Sequence, residues 1–149
     1  MNLFAKFFPI KIAYAHCDIP CGVYDPKPAQ MAAESVAKMV EKILTLPKPS
    51  NEDQSAWFNC KNNLTRFILV KEQQAEICKR EVLILWTDFF KAENLTEFPK
   101  LHELVWQTTK LCSANKREVS SDKAKQLQDS VDQIAEIFAK VKAAAQKWN

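Results

Sequence analysis

Glycine is almost absent from this chain: Gly22 is the only one among 149 residues. Strand-rich folds need glycine at hairpin turns and bulges, where φ is positive, whereas helical bundles need very little of it. With 47% hydrophobic residues, a chain of this length can bury one sizeable core. The composition therefore predicts a single all-α domain.

Apolar residues recur at helical spacing in segments separated by proline and polar residues. Helices are predicted over about 28–46, 52–90 and 99–113, with a loop over 91–98. In the last segment the apolar residues step by four and three: Leu127, Val131, Ile134, Phe138, Val141, Ala145 and Trp148. Such spacing is typical of left-handed helix packing, so we predict an antiparallel four-helix bundle with short connections.

Two further features of these segments need an explanation from the structure. Lys71 occupies the one position in the apolar stripe of the second segment that is not apolar. The chain also has more aromatic residues than short seams readily bury, and some are expected between subunits: Trp57, Phe58, Trp86, Phe90 and Trp106.

Charge and hydropathy exclude some classes of partner. The formal net charge is +3, and no basic run is interleaved with aromatic residues, so nucleic acid is not an expected partner. No apolar stretch approaches the roughly 18 to 20 residues that span a bilayer, so no membrane partner is expected. Mixed charges, as in residues 76–81, indicate solvated helix faces.

Residues 1–15 have the features of a removable leader. Lys6 precedes an apolar stretch, and Ala13-Tyr14-Ala15 has the A-x-A form that signal peptidases prefer, although Pro9 and Lys11 interrupt the stretch. Either export or another kind of cleavage fits this pattern. The cysteines are odd in number and sparse, which favours a reducing compartment. We expect a cytoplasmic protein, with export through the leader as the alternative.

Cleavage after Ala15 would make His16 the first residue of the mature chain and give it a free amine. That amine and the amide nitrogen of Cys17 would close a five-membered chelate ring on a metal, and the amide with the Cys17 thiolate would close another. Cys21 can add a second thiolate to the same plane. A planar set of two nitrogens and two sulfurs suits Ni(II) or Cu(II), whereas zinc prefers tetrahedral ligation. The imidazole of His16 remains available as an axial ligand.

The residues around Cys21 suit a chain reversal. Pro20 fixes φ within the loop, and Gly22 lets the chain leave it with dihedrals that other residues avoid. On spacing alone, however, C-x₃-C also fits a disulfide loop in an exported protein, half of a zinc site, or two cysteines without special function.

The stretch HCDIPCGVYDP, residues 16–26, resembles the amino-terminal nickel hook of the nickel-containing superoxide dismutase family. We call these residues the hook. They match the pattern H-C-x-x-P-C-G-V-Y at every fixed position, and weaker similarity continues through 33–36, 70–73, 85–88 and 98–102. The resemblance implies small four-helix bundles that assemble as homohexamers, with a leader that a maturation protease removes before residue 16.

The resemblance also implies the ligands. His16 would give its amine in the plane and its imidazole axially, Cys17 its deprotonated amide and thiolate, and Cys21 the second thiolate. Nickel would cycle between Ni(III) and Ni(II), converting superoxide to oxygen and hydrogen peroxide.

Around the metal, Asp18 and Tyr24 would shape the hook and a pocket for a small anion, and Pro20 would set the turn. Water near Tyr24 is a candidate proton source. This chain departs from well-known family members at three places. A Glu and an Arg that orient the axial imidazole correspond to Ala32 and Gln74, and a pocket Tyr corresponds to Phe89.

The remaining candidates favour structural roles. Cys60, Cys78 and Cys112 lie on predicted helices without metal-ligand spacing and are expected to be core or surface thiols. His102, at a helix start, is expected to have a structural or surface role. Two other functions remain open: a secreted helical binding protein with a Cys17–Cys21 disulfide, and a nickel or copper carrier without turnover.

Overall fold

The computed structural model describes residues 23–50 and 53–146, and within these ranges it contains helices and no strand. The elements are α1 (Lys27–Leu44), α2 (Gln54–Ile84), a π-helical turn (Leu85–Phe89), α3 (Asn94–Glu97), α4 (Leu101–Arg117) and α5 (Ser121–Gln146). The predicted all-α fold is confirmed. Among the described helices, none is long and apolar enough to cross a membrane.

The long helices form a closed ring in which α1 and α4 each pack against both α2 and α5. Neighbouring helices are antiparallel. The end of α2 meets the start of α4, where the rings of Trp86 and His102 are 5.6 Å apart. The middle of α2 meets the end of α4, where Lys71 bonds to Asn115. The four-helix bundle is therefore the one that the apolar spacing predicted.

The apolar seam of α5 is buried only in part. Leu127, Val131, Ile134 and Phe138 lie in the core, and Val141 is half-buried against it. Beyond that point the seam leaves the bundle, since Ala145 is exposed. Trp148, the last predicted seam residue, lies outside the described residues.

Acidic side chains fix the starts of the first two helices. The Asp25 carboxylate accepts a hydrogen bond of 2.8 Å from the backbone N–H of Lys27, at the start of α1. Asp53 caps α2 by accepting a bond of 2.9 Å from the backbone N–H of Ala56. These carboxylates satisfy donors that a helix start leaves unpaired, and their charge is favourable at this end of the helix dipole.

The predicted boundaries were wrong at both ends of the connection between α2 and α4. The predicted second helix ran to residue 90, but α-helical geometry ends at Ile84 and the π-helical turn follows, with the N–H of Phe90 bonded to the carbonyl of Leu85. A π-turn adds one residue to a helical turn without interrupting it, so the apolar pattern gives no sign of it.

The predicted loop at 91–98 contains the short helix α3. Its start is closed by a hydrogen bond of 2.8 Å from the N–H of Lys91 to the Asn94 side chain. The predicted third helix, 99–113, is shifted, since α4 begins at Leu101 and ends at Arg117. Lys116 and Arg117 lie in its last turn, where positive charge is favourable.

The surplus aromatic residues fall into two groups. Phe90 is buried, and Trp86 packs against the core from a half-buried position. Trp57, Phe58 and Trp106 keep 41%, 58% and 56% of their surface exposed. The exposed group is the one that remains available for contacts between subunits.

Lys71 interrupts the apolar stripe of α2 because it closes the carboxyl end of α4. Its side chain is buried, and its Nζ donates to the backbone carbonyls of Asn115, Lys116 (3.0 Å) and Glu118 (3.2 Å). Helix ends leave such carbonyls without partners, and a cation is favourable there. Burial lowers the pKa of Lys71 below its usual value, while nearby Glu72 raises it.

Replacing Lys71 with Met should remove these donors while keeping a side chain of similar length. We expect the free energy of unfolding to fall by about 2 kcal/mol, because buried carbonyls lose a charged partner. Amide hydrogen exchange should rise first in residues 112–118. The control is Lys140→Met on the exposed face of α5, which should change stability by less than about 0.5 kcal/mol. Equal effects in the two variants would contradict this role.

Candidate metal centre

Most of the predicted site residues lie outside the described residues: His16, Cys17, Asp18, Pro20, Cys21 and Gly22. The structure describes the last part of the hook, residues 23–26, and so the place where the hook joins the bundle. Tyr24 is the predicted site residue in this part.

Tyr24 is half-buried and packs its ring against the core. Its ring centroid is 6.0 Å from that of Phe89, with the planes tilted by 60°. Phe89 in turn lies 4.2 Å from the ring of Phe138 on α5 and 5.1 Å from Phe90. Aromatic pairs at these separations add to the stabilisation that burial alone gives. We call Tyr24, Phe89, Phe90 and Phe138 the aromatic cluster.

The π-helical turn presents two members of this cluster. After Phe89 the chain leaves helical geometry, and Phe90 is extended, with φ −72° and ψ 143°. The turn therefore ends α2 beside Tyr24, with Phe89 facing the base of the hook. Phe89 is the position where the family resemblance placed a tyrosine, so Tyr24 supplies a phenol here and Phe89 does not.

The residues after Tyr24 make contacts that fix the direction in which the chain passes from the hook into α1. The Asp25 bond to the N–H of Lys27 starts α1 directly, with Pro26 as its N-cap residue. One turn later, the Gln30 amide donates a hydrogen bond of 2.7 Å to the Asp132 carboxylate on α5. The junction between the hook and the bundle is thus held by contacts with α1, α5 and the π-turn.

A cavity of about 150 Å³ lies beside Tyr24 at the base of the hook. Its lining residues come from the hook, α1, the end of α2 and the π-turn: Val23, Tyr24, Asp25, Pro28, Glu81, Ile84 and Leu85. Apart from Asp25, the acidic group in this lining is Glu81, whose side chain is only 25% exposed.

Glu81 was not predicted as a site residue, because it lies within the mixed-charge stretch 76–81 that was predicted to be a solvated helix face. For Glu81 this prediction was wrong. Its spacing held a signal: Glu81 is three residues before Ile84 and four before Leu85, so it shares their side of α2. Its Oε1 forms an ion pair with Nε of Arg80 at 3.8 Å.

Two of the three positions where the chain departs from family members carry uncharged residues on α1 and α2. Ala32 is 1% exposed and belongs to the core of α1, and Gln74 is half-buried on α2. Neither side chain can form an ion pair.

The other thiols and His102 have the structural roles that were expected. Cys78 and Cys112 are buried, and Cys60 is half-buried with its thiol 3.5 Å from the carbonyl of Pro47. His102 is exposed and stacks edge-on with Trp86. Within residues 23–50 and 53–146, no group of three or more His, Cys, Asp and Glu could hold a metal ion.

Comparison with known proteins connects this scaffold to one family. The family model for nickel-containing superoxide dismutase matches residues 11–142. A superoxide dismutase [Ni] of Streptomyces coelicolor is 38% identical over 138 residues, which are 93% of this chain and 96% of that protein. A superoxide dismutase [Ni] of Streptomyces seoulensis is 35% identical over 143 residues, 95% of this chain and 100% of that protein.

Solved structures agree with the sequence comparison. The native structure of nickel superoxide dismutase superposes with a TM-score of 0.71 at 38% identity, covering 85% of this chain and 99% of that chain. A structure with nickel ligation corresponding to the oxidised state gives 0.72 at 36% identity, covering 86% and 99%. The match in sequence, length and fold shows that this chain belongs to the nickel-containing superoxide dismutase family.

Proposed function

We propose that this chain is a nickel-dependent superoxide dismutase whose metal is held by the hook. The observation that carries the proposal is the sequence H-C-x-x-P-C-G-V-Y at residues 16–24, in a chain of this family. The described scaffold supports it, because the last residue of that motif, Tyr24, is fixed in the aromatic cluster.

The donor set of the hook suits nickel. His16 offers an amine and an imidazole, Cys17 an amide nitrogen and a thiolate, and Cys21 a second thiolate. Thiolates and an amide anion donate electron density strongly and so stabilise Ni(III). They would lower the Ni(III)/Ni(II) reduction potential, which is too high in hydrated nickel, into the range in which superoxide can react. When bound, nickel supplies one-electron chemistry between Ni(III) and Ni(II), so that one superoxide is oxidised to oxygen and the next is reduced to hydrogen peroxide.

The residues around the hook's base have separate tasks. Asp18 and Pro20 shape the loop, and Gly22 provides its exit. The Tyr24 phenol lies at the base and can hold water for the protons that peroxide formation consumes. The partly exposed Glu81 carboxylate, in the same cavity, is a second group that can bind water there.

We expect different groups to orient the His16 imidazole in this chain. Ala32 and Gln74 offer no ion pair at the positions where family members carry Glu and Arg. We expect backbone groups, water or the uncharged Gln74 amide to orient the ring, which would change the surroundings of the imidazole rather than those of the amine, amide and thiolate donors.

Maturation and assembly complete the proposal. Residues 1–15 are a leader, and a protease cleaves before His16 to release the terminal amine within the domain 16–149. The active form is a homohexamer in the cytoplasm, for which the exposed Trp57, Phe58 and Trp106 are candidate subunit contacts.

The terminal amine gives the sharpest test. Three forms should be compared: the full chain from Met1, the chain starting at His16, and that shorter chain with its amine acetylated. Only the free His16 form should bind about one nickel per chain and dismute superoxide, because a protonated amide nitrogen is a far weaker donor than an amine. Metal analysis and a superoxide assay measure this. Full activity of the uncut chain would contradict the ligand assignment, and bound nickel without dismutation would indicate a carrier.

The two hook thiols can be tested separately. In the processed chain, Cys17→Ser and Cys21→Ser should each abolish the thiolate-to-nickel absorption and lower activity to background, because each removes one planar sulfur donor. The matched control is Cys60→Ser on α2, which should keep both. Retained absorption in either hook variant would show that its cysteine is not a ligand, and a Cys17–Cys21 disulfide in the isolated native protein would favour the binding-protein alternative.

The contributions of the Tyr24 ring and of its hydroxyl can be tested separately. Tyr24→Phe should keep nickel binding and change the free energy of unfolding by no more than about 1 kcal/mol, while activity falls. Tyr24→Ala should also remove the ring from Phe89 and destabilise the protein by about 2 kcal/mol. Denaturant unfolding, nickel content and rate should be measured together. Equal losses of stability in both variants would mean that the ring packing is not what fixes the hook.

A further inference from the structure

The first half of α2 has little of the bundle around it. The middle of this helix, at Lys71, meets the end of α4 at Asn115, so residues 54–70 extend beyond that end. No described residue of α2 before Lys71 is buried. This part of the helix nevertheless carries several large apolar side chains: Trp57, Phe58, Leu64, Phe67, Ile68, Leu69 and Val70. Partly uncovered apolar groups of this kind gain free energy when a further molecule buries them.

A cavity of about 400 Å³ lies between this part of α2 and the connection from α1. Its volume is within the range of about 300 to 1,000 Å³ that small-molecule sites occupy. The lining comes from the end of α1, the connection and the start of α2: Ile43, Leu46, Lys48, Pro49, Trp57, Cys60, Lys61 and Leu64. Tyr24 lies at the opposite ends of α1 and α2, so this cavity is separate from the proposed metal site.

Contacts within one chain define the walls of this cavity. The Cys60 thiol donates a hydrogen bond of 3.5 Å to the Pro47 carbonyl, which joins α2 to the connection. Thr45 closes α1, because its hydroxyl and its N–H both donate to the Glu41 carbonyl. Pro47 and Pro49 have a fixed φ and no backbone N–H, so the connection cannot continue α1 as a helix. The cavity is therefore a feature of the single chain.

The charged groups that line this cavity have one sign. Lys48 and Lys61 line it, and among the described residues no acidic side chain does. The Nζ of Lys61 lies 5.3 Å from the centroid of the Trp57 ring, which holds this ammonium group beside an aromatic wall. Asp53, the described acidic residue that precedes this part of α2, caps the helix instead. Apolar walls with two ammonium groups complement a molecule that combines an apolar body with a negative charge.

We propose that this cavity binds an amphipathic carboxylate of the medium-chain fatty acid class. The aliphatic chain lies against Ile43, Leu46 and Leu64, where it completes the apolar burial that the fold leaves partial. The carboxylate pairs with Lys48 and Lys61. Because both lysines are exposed, each adds modestly, and the aliphatic chain supplies most of the affinity. This site goes beyond the proposed dismutase activity and depends on neither the hook nor nickel.

Calorimetric titration of the full chain with hexanoate, octanoate and decanoate tests the aliphatic chain and the head group. Each added methylene that is buried should tighten binding about fourfold. Decylammonium has the same chain with a positive head group and should bind at least about tenfold more weakly than decanoate, because it meets two like charges. No binding of decanoate, affinities that do not change with chain length, or equal binding of decylammonium would overturn the proposal.

Amide NMR shifts should locate the bound decanoate. The largest changes are expected in residues 43–49 and 57–64, which line the cavity. Changes confined to another part of the bundle would show that decanoate binds elsewhere and would likewise overturn the assignment.

Substitutions test the two parts of the site. Lys48→Gln and Lys61→Gln should each weaken decanoate binding about threefold, as expected for one exposed ion pair. Lys140→Gln, on the exposed face of α5, is the matched control and should leave the affinity unchanged. Leu64→Glu places a carboxylate in the apolar wall and should abolish binding, while the helical circular dichroism and the nickel content of the processed chain stay the same.

Two outcomes of these substitutions would reject the site. Retained decanoate binding in Leu64→Glu would show that the cavity is not where the carboxylate binds. A parent chain that does not bind decanoate, together with a changed oligomeric state in Leu64→Glu, would show that a second copy of the chain fills the cavity. Neither outcome bears on the dismutase proposal, because nickel binding and superoxide dismutation are measured separately on the processed chain.

Discussion

The contact of Tyr24 with Phe89, within the aromatic cluster, is the interaction on which the position of the site relative to the fold depends. A segment as short as the hook cannot form a core of its own, so its position has to be set where it joins a larger structure. Tyr24 makes that junction by packing on Phe89, which packs on Phe138 of α5. The helical bundle therefore supports the end of the hook, whose earlier residues carry the donors that we propose for nickel.

The α2–α4 interface is where the core departs from apolar packing. Lys71 donates to the carbonyls that end α4, and Asn115 donates 3.0 Å bonds to the carbonyls of Leu111 and Lys123. Cys78 of α2 and Cys112 of α4 are buried in the same core. Polar groups in a low-dielectric interior are costly unless partnered, and partnered they fix one arrangement of the helices. This interface fixes the position of the end of α2, and therefore of Phe89 beside Tyr24. Its polar contacts are thus important for the site as well as for stability.

The sequence predicted the elements better than their ends, for identifiable reasons. The steps of four and three in α5 gave the buried seam because burial on one helix face is a local pattern. The π-turn after Ile84 and the one-turn helix at Asn94 were missed because neither changes that pattern. The contacts of Tyr24 with Phe89 and of Phe89 with Phe138 join residues far apart in the chain, and no spacing rule indicates such pairs. The candidate metal donors could be named from the sequence because chelation by adjacent residues is itself local, and the resemblance of the hook to a known motif rests on the same stretch. Glu81 was missed for the opposite reason, since its place in the cavity follows from how α1 and α2 pack.

The two uncharged positions, Ala32 and Gln74, show how the scaffold constrains the site. Ala32 is 1% exposed in the core of α1. A carboxylate at that position would have to be desolvated, and without a cation opposite it would cost several kcal/mol. An arginine at position 74, without a carboxylate at position 32, would likewise have no partner with which to orient a ligand. The two charges are therefore useful only together, and a chain that gives up one has a physical reason to give up the other. What remains is a small apolar residue that packs into the helix interface and an amide that can donate or accept without a charge. Under the ligand assignment proposed above, neither residue belongs to the donor set of the hook, so this difference would alter the surroundings of the His16 imidazole and not the sulfur and nitrogen atoms proposed to hold nickel.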